Sequence, residues 1–197
     1  MSAVIYVLRH GETGANADDT FRGWRQVPLN ATGRAEAKKA AAFLKGKGIK
    51  HIYASDLKRT METAEAVRDE LNIPMSDDSR LRAWDVGAFA GKARKTHQEA
   101  FDKYTKSPNE TIPMGESMKE FSKRVQSAFK DYRGKKESPI LLVTSASVCL
   151  QLEKMAEGKD VFGKPEQAIP PGGVMCVKGD QADEIFGKVK KTTSYGS

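Results

Sequence analysis

The sequence predicts an α/β fold of three layers, a mostly parallel sheet flanked by helices. Two observations carry this. Short apolar runs rich in β-branched residues alternate with longer segments of helical periodicity, and each run ends in turn residues rather than in another strand. At 197 residues, the chain has the length of one domain with a core large enough to need no staples. The expected organisation is therefore a single domain over 1–197, with a small helical cap inserted at about 84–116.

Taken in order, the first strand covers 3–8, bounded by Arg9, His10 and Gly11. A helix over 32–46 sets Ala37, Ala40, Ala41 and Leu44 on one stripe, with Gly46 or Gly48 past its end. The run His51–Ala54 gives a second strand. Residues 57–71 repeat Leu57, Met61, Ala64, Val67 and Leu71 at helical spacing. A polar helix falls at about 92–106, inside the glycine- and proline-bearing stretch 84–116. Ser117 and Glu120 form a capping box ahead of a helix over 118–133, whose apolar face runs from Met118 through Phe121, Val125, Ala128 and Phe129 to Tyr132. Strands over 140–144, 174–177 and 184–186, with a helix over 147–156, complete the reading. The segments 9–31 and 84–116 are long for connectors in a compact domain and read as functional loops gathered over one sheet edge.

Composition narrows the function. The formal charge is +7, but the lysines are interleaved with acids along helices, and no aromatic–basic pattern accompanies them. Solvated helix faces account for this charge, and nucleic acid is not the expected partner. A basic cluster stands near the end, at Lys188, Lys190 and Lys191. No apolar run is long enough to span a membrane, and no leader precedes the first strand. Cys149 and Cys176 have no metal-like spacing. The expectation is a cytoplasmic protein with no metal and no cofactor; its oligomeric state is left open.

The chemistry concentrates where the first strand ends. Open α/β sheets bind ligands at the carboxyl ends of their strands. Arg9 and His10 stand there: a guanidinium that clamps phosphate through paired hydrogen bonds and an imidazole able to attack phosphorus. Asn16 and Arg22 follow in the same loop, and Arg59 lies just inside the helix after the second strand, placed to share the same anion.

These residues sit in strings that resemble the histidine phosphatase superfamily, in its phosphoglycerate-mutase-like branch. The strings are LRHGETGAN (8–16), FRGWRQVPLNATGRAEA (21–37), ASDLKRTMETAE (54–65), LRAWDVGAFAG (81–91), MGESMKEF (114–121) and ILLVTS (140–145), in family order. The resemblance implies a sheet flanked by helices with an inserted helical cap. It also implies a two-step reaction in which His10 takes the phosphoryl group while Arg9, Asn16 and Arg59 hold its oxygens, with Arg22 touching substrate or loop.

Two positions depart from the family. Where it carries a second histidine after the fourth strand, this chain has Ser145; where it carries a glutamate general acid, this chain has Ala83. A general acid contributes ~10²–10⁴-fold when the leaving group is poor. Substrates with acidic leaving groups are least affected: acyl phosphates, phosphoanhydrides and phosphohistidine. Ser145 retains a neutral hydrogen bond to offer to phosphate. Asp85 is the nearest alternative acid, against its plainer reading as a surface or capping aspartate, and His97, in the expected cap, reads either as a group entering the site from above or as a solvated helix histidine. Trp24 and Trp84 either wall the pocket or pack; Met61 and Met118 read as core.

Two functions remain open. One is a protein that binds a phosphorylated small molecule at Arg9, His10 and Arg59, with weak or specialised phosphatase activity through phospho-His10. The other is an inactive pseudophosphatase that acts as a phospho-ligand binder or scaffold.

Overall fold

A computed structural model describes residues 3–162 and 168–187; the cluster Lys188, Lys190 and Lys191 lies outside them. In chain order the elements are β1 (Val4–Arg9), the single turn α1 (Gly14–Ala17), α2 (Ala31–Leu44), β2 (His51–Ala54), α3 (Lys58–Leu71), β3 (Met75–Asp77), α4 (Arg94–Lys106), α5 (Met118–Arg133), β4 (Ile140–Thr144), α6 (Ala146–Ala156), β5 (Val174–Lys178) and β6 (Gln181–Phe186). The strands form one sheet in the order β3-β2-β4-β1-β5-β6. β3, β2, β4 and β1 run parallel. β5 is antiparallel to β1 and forms a hairpin with β6.

The sheet core is a consequence of side-chain alternation. Ile5 and Val7 of β1, with Ile140 and Leu142 of β4, pack with the apolar faces of α5 and α6. Leu8 of β1, with Leu141 and Val143 of β4, packs with Ala40, Ala41 and Leu44 of α2 and with Ala64 and Val67 of α3. All five residues of β4 are buried, as a central parallel strand covered on both faces requires. The register pairs Arg9 with Thr144, so the chain leaves β1 and β4 at the same level. β2 pairs with β4 alongside, from His51↔Ile140 to Ala54↔Val143. Three strand ends therefore open at one edge, where Arg9 ends β1, His10 and Ser145 follow their strands, and a short link leads from β2 to Arg59 in α3.

The differences from the sequence reading are local. β3 was not expected: its three residues lie at the sheet edge, half-buried or exposed, without a β-branched run to mark them. β6 begins at Gln181, earlier than its apolar residues indicate, because the pairing Lys178↔Gln181 closes a tight turn through Gly179 and Asp180. The polar helix expected at about 92–106 is α4, and its one buried residue, Phe101, packs against Phe21 and Trp84. The capping box at Ser117 and Glu120 is formed in both directions.

Among the described residues, no helix is long and apolar enough to cross a membrane, and no group of three or more His, Cys, Asp or Glu side chains is placed to hold a metal ion. Both cysteines are free.

Candidate active site

His10 is the first residue beyond β1 and is fully buried. Its backbone N–H donates to the Thr144 carbonyl at 2.9 Å, which continues the β1–β4 ladder past the end of the strand. Its Nδ1 lies 2.7 Å from the Gly11 carbonyl oxygen. A carbonyl only accepts, so Nδ1 carries the proton and Nε2 keeps its lone pair. Nε2 is buried and has no hydrogen-bond partner in the protein.

The loop after His10 is pressed against the start of α2. A Cβ on Gly11 would lie 2.3 Å from the Gly33 carbonyl oxygen, and one on Gly33 would lie 2.0 Å from that of Glu12. Only two glycines permit this approach. The Gly11 N–H donates to Thr63 Oγ1 at 3.2 Å, and that hydroxyl donates to the Arg59 carbonyl at 2.8 Å. The imidazole is thus tied to the helix that carries Arg59.

Arg59 stands in the first turn of α3 and is 1% exposed. One end of its guanidinium donates to the carbonyls of Arg25 at 3.0 Å and Gly23 at 2.9 Å. Its Nη2 also meets Ser145 Oγ at 3.4 Å, whereas Nε has no protein partner. Arg9 donates from Nη1 to the Ile169 carbonyl at 2.7 Å, and its Nε is likewise buried without a partner. Arg22 reaches the Ala15 carbonyl at 3.4 Å. Thr13 and Asn16 form a reciprocal capping box for α1. Asn16 Oδ1 accepts from the Thr13 N–H and hydroxyl, which turns the amide nitrogen the other way.

Electrostatics reflect this crowding. Burial, reinforced by Arg59, Arg9 and Arg22, holds the His10 imidazolium pKa well below its usual 6.5. Burial and the neighbouring Arg22 lower the Arg59 guanidinium to about 9, and burial with Arg9 and Arg94 lowers Arg22 to about 10. None of Arg9, Arg22 and Arg59 forms an ion pair with a carboxylate among the described residues. Three mutually repelling cations, two with buried unpartnered Nε–H donors, surround a neutral imidazole. Such a group is complementary to a polyanion such as phosphate.

A cavity of about 600 Å³ lies beside this cluster: Arg22, Arg59, Ala83 and Ser145 are among its lining residues, whereas Arg9, His10 and Asn16 are not. The two positions that depart from the expected pattern, Ala83 and Ser145, therefore share one cavity with Arg59. Ser145 is the N-cap residue of α6, but its hydroxyl makes no capping bond. Asp85, expected as an alternative acid, is likewise not among the lining residues; its Oδ1 accepts from the Gly87 N–H at 3.1 Å, closing a local turn. His97 is half-buried on α4 and turned to its own helix start, 3.2 Å from the Ala93 carbonyl. His51 stacks on Tyr53 and meets Ser76 Oγ. Trp84 lines the cavity, whereas Trp24 donates to the Ala83 carbonyl at 2.8 Å beneath Arg82. Met118, read as core from its helical spacing, is half-buried and also faces the cavity.

Arg94 escaped the sequence reading. It lines the cavity, lies over the Phe21 ring at 4.2 Å and donates to Gln98 at 3.2 Å. A cation in the first turn of a helix opposes the helix dipole, and that misplaced charge is the signal that marks it.

The chain is similar to known proteins along most of its length. The family model for the histidine phosphatase superfamily (branch 1) matches residues 5–184. The chain is 34% identical over 151 residues to a probable phosphoglycerate mutase GpmB of Proteus mirabilis, covering 74% of this chain and 70% of that protein. It is 33% identical over 151 residues to the Escherichia coli K12 protein of the same description, with the same coverage. Among solved structures, Bacillus stearothermophilus YhfR superposes with a TM-score of 0.79 at 29% identity, over 95% of this chain and 98% of that one. A mycobacterial glucosyl-3-phosphoglycerate phosphatase, Rv2419c, complexed with VO3, shares the fold at a TM-score of 0.78 and 21% identity, over 88% and 92% of the two chains.

Proposed function

Because the chain belongs to the histidine phosphatase superfamily, branch 1, we propose that it binds a phosphorylated small molecule at Arg9, His10 and Arg59 and hydrolyses it through phospho-His10, with activity confined to good leaving groups. One observation carries this reading: a buried imidazole with a bare Nε2 stands among arginines that have no carboxylate partners. Phosphoryl transfer needs little beyond positioning and charge stabilisation, and this cluster supplies both.

In the first step the Nε2 lone pair forms a bond to phosphorus as the bond to the leaving-group oxygen breaks, and that oxygen departs with the bonding electrons. Arg9 and Arg59 hold the equatorial oxygens, with Asn16 Nδ2 and Arg22 at the loop side. Ser145 accepts from Arg59, so its own proton is left to donate to the same anion. In the second step a water oxygen bonds to phosphorus, the Nε2–P bond electrons return to the ring, and a water proton passes to the departed base or to solvent. Ala83 has no proton to give a leaving group, and Asp102, a carboxylate that lines the same cavity, already accepts from Gln98 at 2.7 Å, which is why an acidic leaving group is required. Residues 84–116 serve as the cap over this site, and the two free thiols, Cys149 and Cys176, fit a reducing cytoplasmic setting.

The absence of a side-chain acid at Ala83 and of a second imidazole at Ser145 also favours a second reading: a binder that captures a phosphorylated ligand without turnover. Acetyl phosphate separates the two. Rapid-quench intact-mass measurement should show one phosphoryl group on the protein, absent in His10→Ala, with free phosphate accumulating after it. A stable ligand complex without label or phosphate release would select the binder.

A further inference from the structure

The cavity does not stop at the phosphate end. It extends along α4 and α6, where Trp84, Phe101, Met118, Phe121 and Leu150 line it together with polar side chains such as Gln98 and Asp102. Trp84 and Phe121 are nearly parallel, 17° apart at 6.2 Å, and Phe101 leans on Trp84 at 5.0 Å. At about 600 Å³ it exceeds by several-fold the ~150 Å³ that suffices for a benzene ring. At the inner end of this slot, beside Arg22, Arg59 and Ser145, Ala83 offers only a methyl.

Resting on the phosphate-site reading above, we propose that the substrates are small aryl phosphate monoesters, with the ring in the Trp84–Phe101–Met118–Phe121–Leu150 slot and the phosphoryl group on Arg9, His10 and Arg59. The apolar walls and the missing acid point the same way. Apolar walls accept either a ring or an alkyl chain, but an alkoxide, with a conjugate acid near that of water at ~15.7, needs a proton donor to leave. A phenolate, at roughly 10, departs without one. The balance is that of the two steps above: the aryl C–O bond stays intact, the O–P bond breaks to give phenolate, and hydrolysis of phospho-His10 returns inorganic phosphate and a proton that phenolate takes up.

The test compares phenyl, 2-naphthyl, hexyl and acetyl phosphates on the full chain. Phenyl phosphate should exceed hexyl phosphate in kcat/KM by at least ~10²-fold, the lower bound of what a lost acid costs an alkyl ester. Naphthyl phosphate should match or exceed phenyl. Met118→Gln combined with Leu150→Gln, near-isosteric but polar, should lower the ratio of naphthyl to acetyl phosphate turnover by about tenfold, since each buried apolar group contributes on this scale. Equal turnover of hexyl and phenyl phosphates would overturn the proposal. So would phenyl phosphate left intact while acetyl phosphate labels His10, and in that case the phosphate-site reading stands. If acetyl phosphate leaves no label either, that reading falls as well.

Discussion

The arginines of this protein fall into two groups, and the difference lies in what each has been given as a partner. Arg80, Arg82 and Arg124 surround the loop over 78–85, and each meets a carboxylate: Arg80 with Asp78 and Asp131, Arg82 with Asp56, Arg124 with Glu116. The partners raise the pKa of Arg80 and Arg82. Arg124 also spans the carbonyls of Arg80, Arg82 and Ala83 at 2.7–2.8 Å, so it fixes the course of the loop that carries Ala83. Arg59 is fully buried and Arg9 and Arg22 half-buried; none of the three has a carboxylate in contact, and desolvation lowers the pKa of each. Burial of a cation is costly unless it is paired. The first group is complete within the fold, whereas the second has no counter-charge there and in the proposed function takes it from an anion; perturbed groups of this kind mark functional sites.

The largest effect expected from this contrast is at the imidazole between the unpaired cations. His10→Ala should reduce phosphatase activity at least ~10⁴-fold, the scale on which removing a nucleophile acts, and steady-state kinetics on an acyl or aryl phosphate checks it. Next comes the repair of the departed positions. Ala83→Glu with Ser145→His should raise turnover of alkyl phosphates by ~10²–10⁴-fold and leave that of acyl phosphates within a few-fold, because only the former need the acid. A double variant with unaltered alkyl phosphate rates breaks the account of the defect.

The two arginine groups should then separate by readout. Arg59→Ala should cost ~10²–10³-fold in kcat, as loss of one donor to transferring oxygens does elsewhere. Arg124→Ala should instead appear in urea unfolding, at about 2–3 kcal/mol, below the full cost of breaking a buried pair because both partners retain some exposure. Exchange of these phenotypes would erase the distinction.

The smallest effect is in pH. The His10 pKa is lowered in the folded protein, so the unfolded chain binds its proton first as pH falls. Stability from this group is therefore full above pH 6.5 and declines as pH drops toward the folded value. By the same sign, Nε2 remains unprotonated below pH 6.5, and the acid limb of phosphoenzyme formation should lie under that pH in a quench-flow profile.

The parts of the site that sequence made visible are those in which chemistry and chain order coincide. Arg9, His10 and Asn16 lie within one strand-end loop, and Arg59 opens the helix after another strand, so short strings reveal them. Arg94 depends on how α4 is laid across the sheet edge, and its spacing from the other cations is tertiary. Asp85 drew attention by being two residues from Ala83, but its carboxylate belongs to the turn at Gly87. Met118 keeps helical spacing and still faces the cavity, because it is the first residue of α5, where the stripe runs out from under the core. In the fold, β2, β4 and the helices follow from periodicity. β3 does not, since an exposed three-residue edge strand is specified by its neighbour's pairing and not by its own side chains.

The convergence of Arg9, His10 and Arg59 on one tetrahedral anion is tested most directly by a crystal structure of the protein soaked with vanadate. Vanadium bonded to His10 Nε2, with its oxygens shared between the two guanidinium groups, is the expected result. Vanadate bound away from Nε2, or contacting one arginine while the other turns aside, would contradict it.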